Sequence, residues 1–212
     1  MNELLNEIGV SLEKGKRKQV VQLVQQAIDE GISAQRILTE GLMPGMDRVG
    51  VKFRDNEIFV PEVLVAARAM NAGAELLKPL LAEEGGVSKG KAVIGTVKGD
   101  LHDIGKNLVK MMIEGKGIEV IDLGVDVAPE AFAQAAIEQN ADIICCSSLL
   151  TTTMPVLGDV VKAAEGAGIR GKVKIMVGGA PVTQEFCNSI GADFYTDDAA
   201  SAAICAAEIL SA

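Results

Sequence analysis

From residue 91 onward, short apolar runs alternate with longer helical segments, and this alternation strongly limits the folds open to the chain. The strand-like runs, rich in Val and Ile, are 91–97, Ile118–Leu123, Ile143–Ser147, Val173–Val177 and Asp193–Tyr195. The helical runs are 104–114, 129–139, 154–165, 182–190 and 199–210. Five strands alternating with five helices predict an α/β fold, a doubly wound five-stranded parallel sheet covered on both faces.

The residues before this region contain no strand-like run, and their periodicity predicts a bundle of four or five helices. Apolar residues in 20–28 follow helical spacing, and Ser33 is a candidate cap for the next helix. Gly41, Pro44 and Gly45 are expected to break or kink the helical stretch that follows.

A polar, Gly-rich segment at 83–90 separates the two patterns and is interpreted as a linker. Just before it, Pro61 is placed to open a long helix at a first-turn position. We therefore predict two domains, a helical domain over 1–88 and an α/β domain over 89–212.

Composition excludes several classes of partner. The net charge is −9, aromatic residues make up 3% of the chain and Trp is absent, which disfavours nucleic-acid binding. None of the four cysteines forms a C-x-x-C pair, and Cys145 and Cys146 lie in an apolar run, as expected of buried residues in a reducing cytoplasm. No run approaches 18 uninterrupted apolar residues, so neither a membrane span nor a signal peptide is expected.

Histidine occurs once, at His102, on the loop that follows the first predicted strand. In open α/β sheets the carboxyl ends of the strands are where ligands bind. The loops after the third and fourth strands, 147–153 and 178–181, should lie at the same edge. Together the three loops supply an imidazole, carboxylates, hydroxyls and a glycine pair.

These residue types permit a definite chemistry. A neutral imidazole binds a transition metal through one ring nitrogen, and a carboxylate such as Asp100 on the other nitrogen fixes the tautomer. A hydroxyl beyond the carboxylate could pass a proton, and Gly105 would let a helix start close to a ligand. Taken singly, each feature has a commoner explanation. A loop histidine is more often simply hydrogen-bonded, Gly178-Gly179 more often a turn, and Thr151–Thr153 more often a helix start.

Taken together, the features carry a family resemblance. Asp100-x-His102-x-x-Gly105, then 41 residues, then Ser147-x-Leu149, then 28 residues, then Gly178-Gly179 resembles the signature of cobalamin-binding domains. The stretch 45–63 resembles the helical cap domain of methionine synthase, and more closely the small corrinoid proteins of methanol, methylamine and methoxy-aromatic methyltransferase systems. The resemblance covers the whole chain and implies a helical cap followed by a Rossmann-like, flavodoxin-like domain.

The resemblance implies cobalamin held base-off/His-on, with His102 as the lower axial ligand of cobalt. Asp100 would accept the other ring N–H, and Thr153 would complete a relay where methionine synthase has Ser. The corrin and its tail would contact Gly99, Leu101, Asp103, Ile104 and Gly105 near the metal, Ser147, Leu149 and Thr151 along the tail slot, Gly178 and Gly179 against the tail, and Tyr195 and Ala199 beside the benzimidazole. Phe53, Val60 and Val63 match cap positions above the corrin, although ordinary helix core explains them equally well.

The implied function is that of a methyl carrier rather than a complete enzyme. Cobalt in the Co(I) state would take a methyl group from a substrate-specific corrinoid methyltransferase. Methyl-Co(III) would then pass it, on a second methyltransferase, to an acceptor such as tetrahydrofolate or coenzyme M. A reductive activation protein is a further implied partner. Two alternatives stay open at this point, a cobalamin-binding regulatory or sensor module and a flavodoxin-like binding module without corrinoid. The acidic charge, and a chain that starts almost directly with the cap helices, favour the carrier.

Overall fold

The structure is a computed structural model that describes residues 3–83 and 89–211. The chain divides into two compact units. The first comprises Met1–Ser88 with Gly115–Gly117, and the second comprises Lys89–Glu114 with Ile118–Ala212. Most of the predicted linker, residues 84–88, lies outside the described residues.

The first unit is helical, as predicted. Its helices are α1 (Glu3–Glu13), α2 (Arg17–Asp29), α3 (Ala34–Arg36), a π-helix (Ile37–Leu42), α4 (Met43–Arg54) and α5 (Val60–Glu83). Ser33 caps α3 as expected, since its side chain accepts a hydrogen bond from the backbone N–H of Arg36. Pro61 lies in the first turn of α5, where Glu62 accepts a hydrogen bond from the Phe59 N–H at 3.0 Å.

Gly41, Pro44 and Gly45 were predicted to break or kink this stretch, and the break is wrong, whereas a kink stays a prediction. The chain stays helical there, because the π-helix passes directly into α4. Pro44 lies in the first turn of α4, directly after the π-helix. Gly45 serves packing instead, because a Cβ at this residue would lie 2.7 Å from the carbonyl oxygen of Gly9 in α1.

The second unit is the predicted α/β domain. Its strands are β1 (Lys91–Thr96), β2 (Glu119–Asp122), β3 (Ile143–Ser147), β4 (Lys174–Gly178) and β5 (Phe194–Tyr195). Its helices are α6 (Ile104–Glu114), α7 (Pro129–Gln139), α8 (Met154–Gly166), α9 (Gln184–Ile190) and α10 (Ala199–Ile209). The strands form one parallel sheet in the order β2-β1-β3-β4-β5. This is the flavodoxin-like order, which reverses direction between β1 and β3.

The apolar composition of β1 and β3 explains their central positions. All residues of Ala92–Thr96 and Ile143–Cys146 are buried, as expected for parallel strands covered on both faces. Cys145 and Cys146 are buried as predicted, and burial raises the pKa of the Cys145 thiol to about 12. Within the described residues, no helix has the length and apolarity needed to span a membrane.

Candidate functional site

The register of the sheet brings three loops together at one edge. Thr96 at the end of β1 pairs with Ser147 at the end of β3, and Ser147 pairs with Gly178 at the end of β4. The contacts continue past the strands, since the Ser148 N–H donates to the Gly178 carbonyl at 3.0 Å. The β1–α6, β3–α8 and β4–α9 loops therefore surround the point where the sheet order reverses, which is the usual ligand position in such sheets.

His102 lies on the β1–α6 loop and is held by Asp100. The ring Nδ1 lies 2.7 Å from Asp100 Oδ1, and the backbone N–H of His102 donates to the same oxygen at 3.0 Å. The His102 carbonyl accepts a hydrogen bond from Thr96 Oγ1 at 2.8 Å. The His102 side chain is 51% exposed whereas that of Asp100 is fully buried. With Nδ1 engaged by the carboxylate, Nε2 is the ring nitrogen that remains for a metal.

The second oxygen of Asp100 links this loop to the β3–α8 loop. Asp100 Oδ2 accepts hydrogen bonds from the Leu149 N–H at 2.7 Å, the Leu150 N–H at 3.3 Å and Thr153 Oγ1 at 3.0 Å. Burial acts to raise the pKa of Asp100, but the hydrogen bonds from His102, Leu149 and Thr153 hold that pKa well below its ordinary value. Asp100 is therefore a fixed carboxylate that orients the imidazole.

Thr153 extends the hydrogen-bonded chain to a residue that sequence reasoning missed. Thr153 Oγ1 lies 2.8 Å from Ser148 Oγ, and both side chains are buried. The sequence contains a hydroxyl pair at the end of β3, and its first member, Ser147, which is the predicted contact residue, is half-buried. Neighbouring side chains of a strand point to opposite faces, so only one of Ser147 and Ser148 could face Thr153. This alternation was the signal available in the sequence.

Two further polar residues shape the β1–α6 loop and were also missed. Asp126, on the loop after β2, accepts a hydrogen bond from the Gly99 N–H at 2.7 Å, and its own N–H donates to the Asp100 carbonyl at 3.0 Å. Lys106, in the first turn of α6, has a 2% exposed side chain whose Nζ lies 2.6 Å from Asp122 Oδ1. These contacts fix both ends of the loop that carries His102.

The surroundings of His102 fit a large, flat, partly apolar group. Leu101 and Ile104 are 72% and 74% exposed on either side of the histidine, and Leu149 and Leu150 are exposed on the adjacent loop. A Cβ added to Gly105 would meet no atom within 4 Å, so the start of α6 faces open space. Exposed apolar side chains concentrated in one place mark a binding surface.

The set of metal-ligating side chains near His102 also fits a metal that is already bound in a macrocycle. Among the described residues, no group of three or more His, Cys, Asp or Glu side chains is placed to hold a metal ion. A metal bound at Nε2 of His102 would take one ligand from this site, and the rest would come from the group that contains it. A corrin would satisfy this requirement, because the macrocycle supplies nitrogen ligands of its own.

The remaining predicted contact residues are distributed as follows. Gly179 has a φ of +132°, and a Cβ there would lie 1.8 Å from the Ser148 carbonyl oxygen. The fold itself therefore requires a glycine at this position. Tyr195 is half-buried, Ala199 is buried and Thr151 is exposed. Their contacts with a cofactor stay predictions.

The predicted cap residues belong to the helical unit. Val63 is fully buried there, as expected of a core position, whereas Phe53 and Val60 are half-buried. Phe59, which we had not singled out, is 66% exposed. A role for any of these side chains above a corrin stays a prediction.

Comparison with known proteins gives a consistent result. The family described as B12 binding domain matches residues 90–204, and a second family with the same description matches residues 4–78. Dimethylamine corrinoid protein 1 of Methanosarcina acetivorans is 44% identical over 209 residues, which cover 98% of each chain. Trimethylamine corrinoid protein 1 of Methanosarcina mazei is 42% identical over 84% of this chain and 83% of its own. The methanol:cobalamin methyltransferase complex MtaBC from Methanosarcina barkeri matches with a TM-score of 0.87 and 32% identity, covering 99% of this chain and 80% of the matched chain.

Proposed function

This chain belongs to the family of B12-binding corrinoid proteins, and we propose that it carries methyl groups between two methyltransferases. The observation that carries the proposal is the pairing of a half-exposed imidazole with a fully buried carboxylate, inside a rim of exposed apolar side chains. That arrangement keeps the proton on Nδ1 of His102, because the ionised Asp100 carboxylate can only accept, and so leaves Nε2 as the nitrogen that could bind a metal.

In the proposed holoprotein, the corrinoid supplies a cobalt centre that accepts and releases the methyl group. His102 would hold the cobalt through Nε2 in place of the nucleotide base of the cofactor, in the base-off/His-on arrangement. Asp100 would keep the imidazole plane and tautomer fixed. The exposed side chains of Leu101 and Ile104 would cover apolar area of the cofactor and exclude water from it.

The relay behind the imidazole gives the site a place to hold a proton. Thr153 donates to Asp100 Oδ2, while Asp100 Oδ1 accepts from Nδ1 of His102. Any change in the electron demand on Nε2 alters the acidity of the Nδ1–H, and the carboxylate and hydroxyl adjust their hydrogen bonds in response. The proposed role of Asp100 and Thr153 is thus to match the axial ligand to the state of the metal.

The names of the relatives guide the choice of donor and partners. The relative with 44% identity is a dimethylamine corrinoid protein, and a similar structure is part of a methanol:cobalamin methyltransferase complex. We therefore propose a substrate methyltransferase that demethylates a methylamine as the first partner. The second partner would be a methyltransferase acting on tetrahydrofolate or coenzyme M, and a reductive activation protein would restore Co(I).

Ligation by His102 is tested most directly with isotope-labelled protein. Apoprotein made with ¹⁵N, reconstituted with hydroxocobalamin and reduced to Co(II), is expected to show a doublet superhyperfine splitting from the axial nitrogen in its electron paramagnetic resonance spectrum. Unlabelled protein should give a triplet, because ¹⁴N has spin 1 and ¹⁵N spin one-half. His102→Ala should remove the protein-derived splitting.

Lys162→Ala provides a control for this experiment, because Lys162 is exposed on α8 and forms an ion pair with the exposed Asp159 on the same helix. Its spectrum should equal that of the parent protein. A triplet from labelled protein would mean that the cofactor keeps its own base, and absence of corrinoid uptake would overturn the proposed function altogether.

Donor choice is tested separately with the reconstituted protein and a cognate methyltransferase. With the protein first reduced to Co(I), dimethylamine is expected to lose one methyl group and yield monomethylamine, in an amount stoichiometric with the methylated corrinoid protein. Methanol and methoxy-aromatic compounds serve as competing donors in the same assay. Faster transfer from either would overturn the methylamine assignment and leave the carrier role intact.

A further inference from the structure

We propose that Ser148 is a positioning residue that commits the single hydroxyl proton of Thr153 to Asp100. The proposal rests on the function proposed above, because it concerns the carboxylate that orients His102. It follows from an accounting of donors and acceptors around the two buried hydroxyl groups.

Thr153 has one hydroxyl proton and three acceptors within reach. Its Oγ1 lies 3.0 Å from Asp100 Oδ2, 3.0 Å from the carbonyl oxygen of Leu150 and 2.8 Å from Ser148 Oγ. Distance alone does not decide among them. If the hydroxyl turned toward Ser148 Oγ, the carboxylate would have one donor fewer.

Ser148 supplies the constraint. Its Oγ lies 2.8 Å from Thr153 Oγ1 but 3.3 Å from the Leu150 carbonyl, so the shorter contact is with Thr153. The Leu150 carbonyl already accepts the N–H groups of Thr153 at 3.0 Å and Met154 at 3.1 Å, which occupy its two lone pairs. The arrangement that satisfies every group has Ser148 donating to Thr153 and Thr153 donating to the charged carboxylate.

Ser148 is itself held rigidly between two loops. It is fully buried, and its N–H donates to the Gly178 carbonyl at 3.0 Å. Its own carbonyl oxygen packs so closely on Gly179 that a Cβ there would lie 1.8 Å away. The backbone of Ser148 is therefore fixed by the β3–α8 and β4–α9 loops rather than by Thr153.

Removal of the Ser148 hydroxyl has a predictable consequence at the imidazole. In Ser148→Ala, Thr153 Oγ1 loses its donor, and its own hydrogen bond to Asp100 weakens because linked hydrogen bonds strengthen one another. Asp100 is then more weakly hydrogen-bonded at Oδ2 and pulls more strongly on the Nδ1–H of His102. Thr153→Val should change the same bond in the same direction and by more, because it removes the donor entirely.

The test uses the apoprotein and the chain's single histidine, which gives one unambiguous set of imidazole signals. The ¹⁵N chemical shifts of both ring nitrogens are measured by long-range ¹H–¹⁵N correlation at about pH 8.5, where an ordinary imidazole is neutral. Ser148→Ala and Thr153→Val are expected to shift the Nδ1 signal in the same direction. The double variant should match Thr153→Val, because Ser148 acts only through Thr153.

Three controls keep the result interpretable. Ser148→Thr, which retains a hydroxyl, should restore the parent shift, and Ser189→Ala, which removes an exposed hydroxyl on α9, should leave it unchanged. Amide spectra verify that each variant is folded. Additive effects of the two substitutions, or an unchanged Nδ1 signal in Ser148→Ala, would overturn the proposal.

Hydroxocobalamin uptake by the same samples separates this proposal from the proposed function. If Ser148→Ala leaves the Nδ1 signal unchanged while the protein still binds corrinoid, only the role of Ser148 is refuted. If Ser148→Ala shifts the Nδ1 signal as expected but the protein takes up no corrinoid, the carrier function is refuted and the hydrogen-bond arrangement stands.

Discussion

The two units of the molecule treat buried polar groups in opposite ways. Among the described residues, the buried polar or charged side chains of the sheet unit are Thr96, Asp100, Lys106, Ser148 and Thr153. They all lie at the end of a strand or in the loops and first helical turn that follow. The corresponding list for the helical unit contains Ser11 alone.

The sheet unit is rigid at its edge because buried polar groups are hydrogen-bonded, whereas the helical unit is rigid because helix backbones pack closely. Burying a polar group costs free energy unless its hydrogen bonds are made, so such groups persist where a fixed arrangement is needed. The edge of the sheet holds a carboxylate with five donors around His102. The helical unit relies on close contact between helix backbones, as between Gly9 and Gly45. Substitutions should therefore act through lost hydrogen bonds in one unit and through steric overlap in the other.

The largest effect is expected for Asp100→Asn. The substitution keeps the shape but turns one acceptor oxygen into a donor group, which faces the N–H groups of Leu149 and Leu150 or the Nδ1–H of His102. We expect a loss of about 3 kcal/mol in the free energy of unfolding, measured by urea denaturation. Asp159→Asn, at an exposed ion pair on α8, should change it by no more than about 0.5 kcal/mol.

At acid pH, the stability loss caused by Asp100→Asn should approach the small loss caused by Asp159→Asn. The pKa of Asp100 is lowered by folding, so the stability that its ionised form contributes is complete above the ordinary carboxyl value near 4. It is lost as the pH falls through the lower folded value. The cost of Asp100→Asn should thus shrink as the pH falls below about 4. A cost that grows below about pH 4 would mean that folding favours the protonated carboxyl.

In the helical unit, Gly45→Ala should destabilise by about 2 kcal/mol. Its Cβ would meet backbone atoms of Gly9 at 2.7 and 2.9 Å, and backbone cannot move aside as a flexible side chain can. Gly166→Ala, at the end of α8, meets nothing within 4 Å and should be neutral or stabilising by up to about 1 kcal/mol. Thermal unfolding followed by circular dichroism compares the two variants, and equal behaviour would refute the packing role of Gly45.

Lys106→Met tests the contribution of a second buried polar group at the sheet edge. We expect it to lower the free energy of unfolding by about 1–2 kcal/mol, less than Asp100→Asn. Methionine keeps most of the apolar length of the side chain but removes the cation 2.6 Å from Asp122. Asp122 keeps the N–H of Gly124 and the more distant Lys110, so the loss is partial. Lys110→Met is the matched control on the same helix and should change the free energy of unfolding by no more than about 0.5 kcal/mol. If Lys106→Met proved neutral, polar burial at this edge would not be a source of stability.

The strands and helices of the sheet unit were predictable because their apolar runs are short and evenly separated. Every predicted boundary lies within two residues of the observed one. The helical unit was harder, since the signal at Gly45 depends on Gly9, a residue in another helix. A glycine in a helical stretch indicates either a break or a close contact, and local sequence does not distinguish them.

The same limit applies to the site. Asp100, His102 and Thr153 were predicted as a group and lie in one hydrogen-bonded chain, because loops at the same edge of a parallel sheet must meet. Ser148 and Lys106 were missed because their burial depends on packing from other elements. A serine beside a serine, or a lysine in the first turn of a helix, is usually exposed.

The smallest change in stability and the sharpest test of the comparison is Gly105→Ala. A Cβ at Gly105 meets no atom within 4 Å, and the residue lies in α6 with no positive φ. Alanine has the higher helix propensity, so the apoprotein should gain about 0.5–1 kcal/mol. If the start of α6 faces the corrin, the same methyl group should weaken hydroxocobalamin binding, which absorbance titration of the apoprotein measures. A variant that is more stable and binds equally well would place the cofactor elsewhere, and the open space at Gly105 would then have no part in the site.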